Sequence, residues 1–157
     1  MSERGRWVFL LYRLPREPST PRISVWRKLR RLGAAQLQDG LIALPLDSRN
    51  REQMEWIADE VIEAGGDAQI WLAEPATAAQ ERALASSMAS AIDDEYRAII
   101  NTAHAATEDE TSSRLRTLKR LRKELARVRA RDYFPTPVRE QAKIAVDALA
   151  RITEVFR

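Results

Sequence analysis

The sequence predicts an α+β protein, in which a sheet unit of order β-α-β-β-α-β is followed by three helices. Three observations carry this expectation. Residues 7–12 form an apolar run on both alternating faces, the pattern of a buried central strand. Asp39-Gly40 lies between two short apolar segments, the signal of a two-residue hairpin. From Thr77 onward, apolar residues return every three or four positions, as on helices with one buried face.

The elements follow in order. Leu14-Pro15 and Pro18 end the first strand. Thr20 before Pro21 is an N-cap with proline at the first helical position, so a helix should run to Leu32 and stop at Gly33. Residues 34–37 and 41–44 form the hairpin, which Pro45 closes. Asp47 or Ser48 caps a second helix with Met54, Ile57, Ala58, Val61 and Ile62 on one face, and Gly65-Gly66 ends it. Trp56 falls opposite that face and is expected to be buried elsewhere in the chain. Residues 68–72 are a fourth strand, before Glu74-Pro75. This order within residues 1–75 is the ferredoxin-like split βαβ pattern.

Thr77 with Gln80 is a capping box, and Leu84, Met88, Ile92, Tyr96, Ile99 and Ala103 follow at helical spacing. Residues 107–111 read as a polar loop. Leu118, Leu121, Leu125 and Val128 are heptad-like, and Asp132-Tyr133-Phe134-Pro135 breaks that helix. Thr136-Pro137 opens the last one, with Val138, Ala142, Ala145, Leu149, Ile152 and Phe156 as its stripe. The expected organisation is a sheet unit at 1–75 and a helical extension at 76–157, packed together as one domain. The unit's two helices cover only one face of the sheet. Trp7, Phe9 and Leu11 point away from Val8, Leu10 and Tyr12, so the second face needs a cover. The C-terminal helices are expected there, with a homodimer as the alternative.

Composition excludes several chemistries. The 157 residues contain no cysteine and one histidine, which removes disulfides, thiolate metal sites, Cys nucleophiles and multi-His sites. No run approaches the roughly 18 apolar residues of a membrane span, and residues 1–12 lack a signal-peptide pattern. A soluble cytoplasmic protein with no membrane partner is expected. The net charge of +3 conceals a partition. Residues 1–35 carry nine basic and two acidic side chains, residues 36–110 four and sixteen, and residues 111–157 thirteen and five. Concentrated positive charge of this kind is the pattern of a polyanion binder.

Two helix faces collect that charge. On the first helix Val25, Trp26, Leu29 and Leu32 share an apolar arc with Ile23 at its edge, and Arg27, Lys28, Arg30 and Arg31 fill the opposite arc. On the fourth helix Arg114, Arg116, Lys119, Arg120, Arg122, Lys123, Arg127, Arg129 and Arg131 surround the heptad stripe against the single acid Glu124. Asp93, Asp94 and Glu95 of the preceding helix are placed to absorb some of them. Arg27, Lys28, Arg30 and Arg31, with Lys119, Arg120, Lys123 and Arg127, are therefore candidate phosphate contacts on DNA. Ser19, Thr20 and Arg22 at a helix N-terminus, beside Arg13 and Arg16, form a candidate oxyanion site. His104 reads as a surface residue and Asp39 as a turn residue. The acid pairs Asp59/Glu60 and Asp93/Asp94 have no His or Cys neighbour, so neither a metal site nor a cofactor is expected. No phosphate-cradling glycine loop, nucleophile elbow or zinc spacing is present.

The blocks Trp7…Leu14-Pro15…Pro21-Arg22-Ile23-Ser24-Val25-Trp26-Arg27-Lys28-Leu29…Leu32-Gly33-Ala34, Leu41…Leu44-Pro45, Glu55-Trp56-Ile57 and Gly65-Gly66-Asp67-Ala68 resemble the N-terminal domain of the ChrB chromate-resistance regulators. Leu118…Leu121-Arg122…Leu125 and Asp132-Tyr133-Phe134-Pro135 with Arg139 are similar to its closing segment. The hairpin region also resembles the middle domain of PaaX-type repressors and, more distantly, Cas2 nucleases. The resemblance implies a part in chromate-responsive transcription control. Longer members carry a second, C-terminal domain, whose functions do not transfer to these residues. In Cas2 an aspartate at the end of the first strand supports metal-dependent cleavage. Here that strand ends Tyr12-Arg13-Leu14, so no nuclease is inferred.

The expectation is a non-enzymatic, DNA-binding regulatory module, with chromate or another oxyanion as effector. If this domain senses chromate, which is a dianion, Arg13 and Arg22 with free backbone N–H groups are the first donors to consider. The competing classes are a protein-interaction or dimerisation module that meets an acidic partner, and a metal-dependent enzyme.

Overall fold

The computed structural model describes residues 5–155. The elements run β1 (Trp7–Arg13), α1 (Thr20–Leu32), β2 (Ala35–Gln38), β3 (Leu41–Pro45), α2 (Ser48–Glu63), β4 (Asp67–Ala73), α3 (Ala78–Ala106), α4 (Thr111–Ala130) and α5 (Pro137–Val155). The four strands form one antiparallel sheet of order β2-β3-β1-β4, so the α+β class and the ferredoxin-like strand order are as expected. The chain divides into two compact units, Met1–Met88 and Ala89–Arg157.

In the first unit, β1 is central, pairing with β3 and β4 along its length. Val8 and Leu10 are buried with Ile42 and Leu44 of β3, Val25 and Leu29 of α1, and Met54, Ile57 and Val61 of α2. Helix α2 packs on β1 and β4, and α1 packs on α2. Gly33 at the end of α1 is left-handed, with its N–H bonded to Arg30, the ending glycine favours. The hairpin turn brings Gly40 against Tyr12: its carbonyl accepts from the Tyr12 N–H at 2.8 Å, and its φ is +78°. A Cβ there would sit 2.3 Å from the Tyr12 carbonyl oxygen, so only glycine fits. Asp47 caps α2 by accepting from the Asn50 N–H, and Thr77 accepts from the Gln80 N–H before α3.

Three apolar side chains depart from the expected burial. Trp26 is 48% exposed, because it stands at the margin of the α1 arc, which Val25 and Leu29 already fill. Ile62 is 55% exposed at the matching margin of α2. Trp56 is 58% exposed rather than buried, since it projects from the side of α2 opposite Met54 and Val61. On the second sheet face Trp7 is buried and its indole N–H donates to Glu81, in the first turn of α3. Leu11 and Trp71, farther along the same face, are exposed.

The second unit has its own core. Ile92, Tyr96, Ile99 and Ala103 of α3, Leu118, Leu121, Leu125 and Val128 of α4, and Ala142, Val146 and Leu149 of α5 form one cluster. Val138 packs against it, Ile152 is half-buried, and Phe156 lies outside the described residues. The turn that ends α4 is tied to α3 by three residues. Tyr96 donates to Asp132 at 2.8 Å, Arg131 forms a two-bond pair with Glu95, and Thr136 donates to Asp93. No described helix is long and apolar enough to cross a membrane.

Candidate nucleic-acid interface

Helix α1 has no acidic residue; its inner face buries Val25 and Leu29, and its outer face carries Arg27, Lys28, Arg30 and Arg31. Arg27, Arg30 and Arg31 are exposed and form no ion pair with the described residues. Lys28 differs: its ammonium lies 2.6 Å from Glu60 of α2, which also accepts from Ser24. Burial pushes the Glu60 carboxyl up, but the bonds from Lys28 and Ser24 outweigh it and hold the group below its ordinary value. Lys28 is thus engaged within the fold, and the free cations of α1 are its arginines.

Helix α4 sorts its cations by face. Arg114 is buried at its start and donates to the Asp109 carbonyl and the Thr111 hydroxyl, closing the α3–α4 loop. Arg131, the residue that follows α4, is bound to Glu95, so the acidic segment of α3 takes one cation at the end of that helix; Asp93 is held by Thr136 and Asp94 by Arg97. Arg122 faces Glu154 at 3.8 Å and Arg120 faces Glu124 at 3.7 Å, both pairs exposed. Arg116, Lys119, Lys123 and Arg127 are exposed with no ion pair among the described residues. At about 100° per residue these four and Arg120 share one arc, opposite Leu118, Leu121, Leu125 and Val128. The row from Arg116 to Arg127 is about 16 Å long at helical rise.

The oxyanion candidates lie at the N-terminus of α1, where a cleft of about 640 Å³ is lined by Tyr12, Arg13, Ser19, Arg22, Trp26 and Asp39, among others. Ser19 is the N-cap residue, yet its side chain makes no capping bond. Arg13 is held by Asp67 at 3.1 Å, and Thr20 does not line the cleft. Arg13, Ser19 and Arg22 line it, and of these Arg22 and Ser19 have no ion pair or capping bond among the described residues. Burial raises the Tyr12 phenol, Arg22 opposes that shift, and Asp39 adds to it. His104 is exposed, and Asp39 accepts from Gln36 beside the turn. No group of three or more metal-ligating His, Asp or Glu side chains occurs among the described residues.

A second groove, of about 410 Å³, runs between α1 and α2. Lys28, Arg31, Arg49, Gln53 and Trp56 line it with Glu60. Sequence reasoning missed Arg49, Gln53 and Trp56 as a group. Their spacing on α2 was the available signal, since it aligns them on one helical face.

A split βαββαβ sheet unit with a helical extension, bearing one arginine-rich and one Lys/Arg-striped helix, defines the class of chain. The family described as "Protein ChrB, N-terminal" matches residues 22–111, and the chain belongs to that family. The curated relative "Protein ChrB" of Cupriavidus metallidurans is 26% identical over 144 residues, 88% of this chain and 43% of the relative. The chain thus spans less than half the length of that relative. No solved structure matches it.

Proposed function

We propose that the chain is a DNA-binding regulatory module of chromate resistance, which contacts duplex phosphates through the exposed cations of α4 and α1. Family membership supports the biology. The observation that carries the DNA reading is the α4 row of Arg116, Lys119, Arg120, Lys123 and Arg127. It lies opposite a complete core stripe, so packing does not require these side chains to be basic. Solubility alone is served by mixed charge, and here the single acid of α4, Glu124, stands at the edge of the row facing Arg120. Such contacts give affinity and salt dependence without reading sequence. We assign the oxyanion effector to the cleft beside α1, with Arg22 and Ser19 as its donors.

The test is duplex binding by the native chain and by a variant with Arg116, Lys119, Lys123 and Arg127 changed to Gln. The variant should lose most of its affinity at low salt. Undiminished binding would exclude α4 as the interface, and no binding by the native chain would favour an acidic protein partner.

A further inference from the structure

Three of the four tryptophans are exposed, and two of these border α1: Trp26 on one flank, Trp56 in the groove on the other. An exposed indole is a large apolar surface left in water, and both rings stand among cations. Arg30 lies over the Trp26 ring, 4.8 Å from its centre. Trp56 shares its groove with Lys28, Arg31 and Arg49. Moving round α1 from Trp26, Arg30, Arg27 and Arg31 follow in steps of about 40–60°, with the exposed Ile23 between Arg30 and Arg27. Three cations therefore stand in the arc between the two rings. Of the acids of α2, Glu60 lines the groove and is paired with Lys28. Glu52, Glu55 and Asp59 fall on the side of Trp56 away from Arg49 and Gln53, which favours a polyanion on the α1 side.

Duplex DNA hides its base faces in the stack, so it offers phosphates to such a surface but nothing to the indoles. An unpaired strand offers both. We propose that α1 and its groove bind single-stranded nucleic acid, with one base stacked on Trp56, another on the Trp26–Arg30 pair, and phosphates on Arg27, Arg31 and Arg49. This inference rests on the nucleic-acid reading of α1 given above and specifies the form of polymer that α1 takes.

The experiment is fluorescence anisotropy at low salt with labelled oligo(dT), its oligo(U) counterpart, and a duplex of equal length. Trp56→Ala and Trp26→Ala should each weaken single-strand binding at least about fivefold, the smaller end of a stacking loss. Both should leave duplex affinity within twofold, and Trp56→Phe should restore part of the loss, which separates stacking from misfolding. Oligo(dT) and oligo(U) should bind alike, since stacking uses no sugar hydroxyl; a large preference for one would overturn the stacking assignment. Single-strand binding that ignores both alanine changes, while duplex binding persists, overturns this inference and leaves the duplex reading standing. Displacement of the strand by poly-glutamate of equal charge at equal concentration overturns it in favour of an acidic protein. Failure of strand and duplex alike removes both readings.

Discussion

The Tyr96 side chain is fully buried, and its hydroxyl reaches Asp132 at 2.8 Å. Burial, the bond to Asp132 and its charge push the phenol far above its ordinary value, so it remains a donor at any physiological pH. Removing the hydroxyl leaves the half-buried carboxylate one donor short. Tyr96→Phe should cost about 1.5–3 kcal/mol, measured by denaturant unfolding. Glu60 has the opposite sign of shift. Its pKa is lower in the fold than in the unfolded chain, so its contribution is complete above the ordinary glutamate range and disappears as pH falls through the lower folded value. Glu60→Gln should lower stability at pH 7 by up to about 1 kcal/mol, given the exposure of the Lys28 pair. The gap between the two proteins should narrow as pH falls below the ordinary glutamate range and close once it passes the lower folded value. A gap that widens in acid would reverse the sign assigned to Glu60. Capping residues such as Asp47 and Thr77 were legible at this scale because their bonds are local. The Asp132 contact was not, since its partner lies 36 residues away.

Helices and strands were the most legible level, because their signals repeat. The apolar run of β1, the Asp39-Gly40 turn and the α4 heptad all became the elements expected of them. Which margin of a helix is covered depends on its neighbours, and this is why Trp26, Trp56 and Ile62 were misplaced. Helix α4 separates its two tasks by face, core on one side and cations on the other. Leu121→Ala should therefore cost about 2–5 kcal/mol, because Leu121 is fully buried in the second core. Replacing Lys119 and Lys123 with Gln should change stability by less than about 0.5 kcal/mol. Thermal melting of both variants checks the separation; comparable losses would mean that the outer row also supports the fold.

For the molecule as a whole, the near-neutral sum of +3 is less informative than its distribution. The acidic middle of the chain takes up Lys28 through Glu60 and Arg131 through Glu95, and the remaining exposed cations concentrate on α1 and α4. The sequence located these helices, but it could not tell engaged cations from free ones, because ion pairing depends on tertiary contacts. The most direct measurement is duplex affinity across a salt titration. Phosphate contacts through the α4 row predict log affinity falling with log salt at a slope of about −4 or steeper, near 0.9 per phosphate neutralised. Changing Arg116, Lys119, Lys123 and Arg127 to Gln should flatten that slope by about 3.6. A slope near zero, or one that these four substitutions leave unchanged, would contradict a duplex interface on α4.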